Sequence, residues 1–250
     1  MAILRPDWPA LPANVGCLTT LRHHGVSARP YDDGFGDGGF NLGLHVGDER
    51  AAVLQNRRQL RESLPAEPAW LTQIHGTTVR DAAAVVGAPE ADASFATTAG
   101  VVCAVLTADC LPVLLCDATG SVVAAAHAGW RGLAGGVLVA TVDAMRQAGA
   151  DEILAWLGPA IGPERFEVGA EVREKFIESV PAAAQAFIAV DGVRDKYLAN
   201  IYTLARLALL HSGVDQIVGG DACTVMERER YFSYRRDGRT GRMASMIWIK

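Results

Sequence analysis

Three short apolar runs crowd the middle of this chain: Val101 to Thr107, Val113 to Cys116 and Val122 to Ala126, separated by Pro- or Gly-containing turns. Runs of this length and composition read as strands of a buried sheet. The clearest helix follows at once. Leu133, Val137, Leu138, Thr141, Val142 and Met145 line one side of a helix predicted over Leu133 to Gln147, with Gly149 as its stop. Ile153 to Leu157 reads as a further strand, closed by Gly158-Pro159. Helices are predicted over Ala170 to Ile177 and Leu198 to His211, and a strand over Gln216 to Val218.

Upstream, Asp32 to Gly39 (DDGFGDGG) is too rich in glycine and aspartate for regular structure. Asn41-Leu42-Gly43-Leu44-His45 follows, then a helix predicted from Asp48 to Leu64, capped by Asp48, with Val53, Leu60 and Leu64 on one face. Strands and helices alternate without a strict βαβ rhythm, which predicts an α+β fold rather than a doubly wound sheet. With no internal repeat and no linker, one domain over 1–250 is the simpler expectation.

Charge and cysteine usage narrow the function. The net charge is -5 and no Lys/Arg block opposes it, so a nucleic-acid polymer is not an expected partner. The N-terminal MAILRPDWPALP breaks with proline before a signal-peptide core forms. Val101 to Cys116 contains Asp109 and Pro112 and is too short to span a bilayer, so no membrane partner is expected. The five cysteines, Cys17, Cys103, Cys110, Cys116 and Cys223, are odd in number and lack a C-x-x-C pair, which points to a reducing cytoplasm.

Three segments each set a metal-ligand residue where an apolar run gives way to a turn. They are LTQIHG with His75, LTADCLP with Cys110 and AAAHAGW with His127. Imidazole and thiolate are the donors zinc prefers, and three protein ligands leave a fourth position for water or substrate. The plainer reading treats each residue singly: a small buried hydrophobe, as Cys103 and Cys116 read, or a hydrogen-bonded histidine at a strand end.

Longer motifs bear on that choice. QIHG, ADAS, LTADCLPVLL, AAAHAGWRG, LGPAIGP, FEVG and SYRRDGRTGRMAS resemble the YfiH family, and the similarity runs from about Cys17 to the C-terminus. That family is often labelled polyphenol oxidase or laccase domain, and its members have since been described as purine nucleoside phosphorylases. The resemblance implies one zinc on His75, Cys110 and His127. It also implies phosphorolysis of adenosine, inosine, guanosine and methylthioadenosine, with adenosine deamination alongside. Purine nucleosides and phosphate are then the expected partners. The implied fold is a single α+β domain with mixed sheets and flanking helices, distantly similar to the cytotoxic necrotizing factors.

Further candidates surround these ligands. Asp109, just before Cys110, suits proton transfer or support of the metal, or simply a turn. Arg131 is read as lying just before the Leu133 helix, where a helix N-terminus would favour an anion. Arg235, Arg236, Arg239 and Arg242 share a glycine-containing tail; Arg235, Arg236 and Arg242, with Arg22 and Asn41, are the candidates for substrate or phosphate binding. Trp130 and Phe232 suit stacking on a purine or packing, and His23, His24, His45 and His211 read as structural. Gly158-Pro159 and Gly162-Pro163 mark rigid turns, with no Walker loop.

Three rival functions share the same residues. Two His and one Cys are also the equatorial set of a blue-copper centre, so Cu2+ is a second metal the donors admit. A multicopper oxidase, however, needs a histidine-rich cluster besides, and only four histidines remain of six. A cysteine hydrolase acting on peptidoglycan precursors would use Cys110 as nucleophile and His127 or His75 as base. In a non-enzymatic binding protein the metal would be structural. The chain is expected to be a monomer or small homo-oligomer.

Overall fold

The three central runs do form strands, but they are divided between two sheets. The computed structural model describes residues 2–250 and begins with β1 (Ile3–Leu4), β2 (Val15–Thr20), β3 (His23–Ser27) and α1 (Arg50–Arg61). Next come β4 (Val79–Asp81), β5 (Ala93–Ala96), β6 (Val102–Thr107), β7 (Leu111–Asp117), β8 (Val123–Ala128), α2 (Trp130–Gly135) and α3 (Val137–Gln147). The last third supplies β9 (Ile153–Leu157), β10 (Glu167–Gly169), α4 (Ala170–Ser179), β11 (Phe187–Ala189) and β12 (Lys196–Ala199). It closes with α5 (Ile201–His211), β13 (Gln216–Gly219), α6 (Tyr234–Asp237) and β14 (Met243–Ile249).

β6 joins an antiparallel sheet of order β1-β2-β14-β6, whereas β7 and β8 sit inside a six-stranded sheet of order β13-β9-β7-β8-β5-β4. A third, three-stranded sheet runs β10-β12-β11. In the six-stranded sheet only β13 with β9 and β4 with β5 are parallel. The fold is therefore α+β, as the irregular alternation predicted.

Period-two alternation shows how the layers stack. Cys103 and Val105 of β6, Ile247 and Ile249 of β14, Leu114 and Cys116 of β7, and Val123 and Ala125 of β8 share one core between the two larger sheets. The opposite residues of β6 and β14 (Val102, Ala104, Leu106, Ala244, Met246 and Trp248) pack with Phe40, Leu42 and Leu60 of the α1 side. The opposite residues of β7 and β8 (Val113, Leu115, Ala124, Ala126 and Ala128) pack against Leu133, Val137, Leu138, Val142 and Met145. Helix, sheet, sheet and helix thus follow in order. Consecutive residues of the central strands are buried because both faces are covered.

α1 stops at Arg61 rather than Leu64 and α4 runs on to Ser179, and three other helix boundaries differ from expectation for a local reason. α1 starts at Arg50, and Asp48 is not its cap. The Asp48 carboxylate instead accepts from Glu49 N at 2.7 Å and Asn41 Nδ2 at 2.9 Å. The Leu133 helix is two helices, because Gly136 takes φ 95° and turns the chain between α2 and α3. Leu198 pairs as part of β12 rather than opening α5. Asn200 sets that boundary by accepting from Thr203 N at 3.1 Å.

The aspartate- and glycine-rich loop is irregular, as expected, yet well tied. Asp33 Oδ1 accepts the N–H groups of Phe35, Gly36 and Asp37 at 2.8 to 3.1 Å. Fully buried Asn56 of α1 holds the next segment. Its Nδ2 donates to Ser27 Oγ, Gly39 O and Asn41 O at 3.0 to 3.1 Å, and its Oδ1 accepts from Val26 N at 3.0 Å. Asn56→Ala strands these buried groups and is expected to cost about 2–4 kcal/mol, read from the denaturant midpoint. A midpoint unchanged from the parent would contradict the clamp.

Candidate metal centre

Crossing from one sheet to the other creates the site. β6 ends at Thr107 and β7 begins at Leu111, so Ala108-Asp109-Cys110 bridges the two sheets. His127 lies one residue from the end of β8, opposite Pro112 of β7. It shares the alternation of Val123 and Ala125, so it lies at the edge of the core between the sheets. His75 comes from the irregular segment after Leu71. Together His75, Cys110 and His127 form one cluster whose ligand atoms all lie within 4.8 Å of one another.

Cys110 Sγ is 3.8 Å from His75 Nε2, and the two imidazole rings meet edge to face with centroids 4.8 Å apart. Nitrogen and sulfur ligands on one tetrahedral zinc stand about 3.6 Å apart, so this spacing suits a shared ion. Among the described residues this is the one cluster of three or more such donors.

Asp92, absent from the candidates that the sequence offers, organises the cluster. Its side chain is fully buried, and Oδ1 lies 2.8 Å from His127 Nδ1. That bond fixes the imidazole with Nε2 left for a ligand. The same carboxylate accepts the backbone N–H groups of Ile74, His75 and Gly76 at 3.2, 2.9 and 2.7 Å. It therefore holds the QIHG turn, in which His75 takes φ 60°. A left-handed histidine carries strain that these three bonds offset. The signal was present in the ADAS string, where Asp92 stands between alanines at the start of a strand.

The pair's electrostatics favour a ready thiolate. Burial resists ionisation of Cys110, but the His127 charge and hydrogen bond, assisted by His75, bring its pKa from 9.0 to about 6. Burial equally resists charging of His127, yet Cys110 and Asp92 raise it from 6.5 to about 9. Burial would lift Asp92, but bonds from His127 and the turn amides hold it below the usual carboxylate range. Cys103 and Cys116 form the contrast, since burial pushes each thiol up to about 12.

The cluster lies in a cleft of about 570 Å³ whose lining includes Thr107, Asp109, Trp130, Arg131, Phe166, Tyr234, Arg235 and Arg242. Asp109 has φ 92° and both carboxylate oxygens are engaged, by Thr224 Oγ1 and by Arg235 N, each at 2.6 Å. Arg131 lies within the first turn of α2 rather than before a helix, because Gly129 occupies the N-cap position. Its guanidinium stacks over Trp130 at 4.4 Å. Arg235 donates to Arg165 O and Glu167 O, and Arg242 to Thr240 O and Gly241 O.

Other candidates are spent on structure away from the cleft lining. Arg22 is buried and donates to Arg228 O and Asp32 O, both at 2.9 Å. Arg236 donates to Thr224 O and Tyr231 O. Asn41 accepts from Gly43 N and Arg242 N. Arg239 bonds Tyr31 and Gly47. Phe232 is fully buried core, whereas Trp130 does line the cleft. His45, expected as structural, lies on the cleft wall.

Fold and donor cluster together define a cleft protein with one site of metal-binding type. Residues 16–250 match the family described as multi-copper polyphenol oxidoreductase laccase, and this chain belongs to that family. A Pseudomonas aeruginosa protein named purine nucleoside phosphorylase is 50% identical over 251 residues, spanning 100% of this chain and 99% of its own. The Escherichia coli K12 protein named purine nucleoside phosphorylase YfiH is 51% identical over 253 residues, spanning 99% and 98%. A crystal structure of Neisseria meningitidis NMB0706 superposes with a TM-score of 0.92 at 50% identity, over 99% of each chain. Among the described residues no helix is long and apolar enough to cross a membrane, and all five cysteines are unpaired.

Asp92→Asn keeps the volume but withdraws the charge and one acceptor oxygen. Metal affinity is expected to fall about 10–100-fold, measured by competition with a chromophoric chelator. Unaltered affinity would remove Asp92 from this role.

Proposed function

We propose that this chain is a zinc-dependent purine nucleoside phosphorylase acting on adenosine, inosine, guanosine and methylthioadenosine, with adenosine deamination as a second activity. One observation carries the reading: a His–Cys–His donor set in a cleft lined by three arginines and three aromatic residues. The cleft volume falls in the range that takes a small organic ligand. The names of the relatives at about half identity support the purine nucleoside and phosphate. Unpaired cysteines suit action in the cytoplasm.

In phosphorolysis a phosphate oxygen bonds to C1′ of the ribose while the bond from C1′ to N9 breaks. Arg131, Arg235 and Arg242 are the groups suited to hold the phosphate against the sugar: Arg131 has no hydrogen-bond partner among the described residues, and Arg235 and Arg242, partly engaged by backbone carbonyls, keep Nε donors. Trp130, Phe166 and Tyr234 offer faces for the purine. Asp109, committed to Thr224 and Arg235, serves by positioning the turn that carries Cys110 and the segment that carries Arg235. His75, Cys110 and His127 would hold the zinc, which supplies Lewis acidity and lowers the pKa of bound water. Deamination would add water at C6 as ammonia leaves, within the same cleft.

The family description favours copper, and the donor set admits it. A multicopper relay needs further histidine-rich centres, and the described residues supply one three-donor cluster. A cysteine hydrolase has more local support, because, against burial, His127 draws the Cys110 pKa down to about 6 while Cys110 raises that of His127. Chelation separates the two, since a thiol hydrolase survives it. Purified chain is expected to release free base from inosine and adenosine only with phosphate present, and to lose at least about tenfold of that rate on zinc removal. Zinc-loaded protein that turns over neither nucleoside would overturn the phosphorylase reading.

A further inference from the structure

Phosphorolysis leaves negative charge on the departing purine, and none of the groups assigned above answers it. Most polar groups of the cleft are already engaged. Both oxygens of Asp109 are taken, and His75, Cys110 and His127 face one another. His45 lies on the wall of that cleft, exposed to solvent, and among the described residues its ring has no hydrogen-bond partner.

The segment that carries His45 is fixed on both sides. Before it, Asn41 Oδ1 accepts from Gly43 N and Arg242 N, both at 2.9 Å, while Arg57 donates to Leu42 O at 2.8 and 3.0 Å. After it, Tyr31 Oη donates to Val46 O at 2.6 Å, and Asp48 accepts from Asn41 Nδ2 at 2.9 Å. Asn56 closes the arrangement by donating to Asn41 O. The loop is tied at six points, so the backbone that carries this uncommitted imidazole is fixed at the cleft wall. Partial desolvation against the cleft wall, then the positive charges of Arg242, Arg57 and His127, hold its pKa below the usual range. The ring is therefore neutral at neutral pH and keeps one N–H donor.

We propose that His45 is a catalytic residue that donates its ring N–H to N7 of the purine as the glycosidic bond breaks, an assignment that rests on the phosphorylase reading. The electron pair of the bond from C1′ to N9 passes into the purine, and the hydrogen bond at N7 stabilises the resulting anion. Hydrogen phosphate becomes the ester, and the proton it gives up neutralises the purine through solvent. Charge is conserved: a dianionic phosphate and a neutral nucleoside become a dianionic sugar phosphate and a neutral base. Asn41 and Arg57 are positioning residues here, since they act through the loop.

The test compares guanosine with 7-methylguanosine, whose N7 is already quaternised and whose base leaves without help at that atom. In His45→Ala the ratio of kcat/KM for 7-methylguanosine over guanosine is expected to rise about 100-fold, with zinc content as in the unmodified chain. His45→Gln restores an N–H donor and is expected to hold the ratio within about fivefold of the unmodified chain. Equal losses on both nucleosides in His45→Ala would overturn the assignment and leave the phosphorylase reading standing. Unmodified chain that cleaves neither nucleoside with phosphate would overturn both.

Discussion

The site depends on one buried carboxylate. Asp92 touches His127 through the ring and the His75 turn through three amides, so it joins two of the three donors before any ion arrives. Such a group is costly to bury alone, and four hydrogen bonds favour its charged form there. Cys110 completes the balance: its lowered pKa favours the thiolate, and a metal ion takes the place of the proton on His127, whose Nε2 binds only as a neutral imidazole. The cluster is thus organised for a cation by its own hydrogen bonds.

Two stacked sheets bring these groups together. β6 and β7 are consecutive in sequence yet belong to different sheets, and the three-residue crossing between them carries Asp109 and Cys110. The crossing cannot be an ordinary hairpin turn, and Asp109 at φ 92° shows the cost. Thr224 and the Arg235 amide hold that residue. The arginine-bearing tail and the Cys110 turn are therefore one mechanical unit, though well over 100 residues separate them in sequence.

Much of this was legible in the sequence, and the failures have physical causes. The strands around Cys110 and His127 stood out because burial on both faces leaves unbroken apolar runs. Their division between two sheets did not, since periodicity reports burial and not partnership. The α2–α3 break was hidden because the apolar face continues across Gly136. Asp92 passed unnoticed because a lone aspartate between alanines carries no local pattern; its four partners lie 16 to 35 residues away. Arg22, Asn41 and Arg236 looked like binding residues for the opposite reason. They sit in motif-like segments, yet their polar atoms are consumed by loop carbonyls and amides. His45 is the mirror case, read as structural yet facing the cleft.

One sulfur and two nitrogens, from Cys110, His75 and His127, make up the proposed metal site. X-ray absorption at the metal edge, with elemental analysis of the purified chain, tests it most directly. One zinc per chain is expected, with one sulfur at about 2.3 Å and two imidazole nitrogens at about 2.0–2.1 Å. Several copper ions per chain, or a bound zinc without sulfur in its coordination shell, would contradict it.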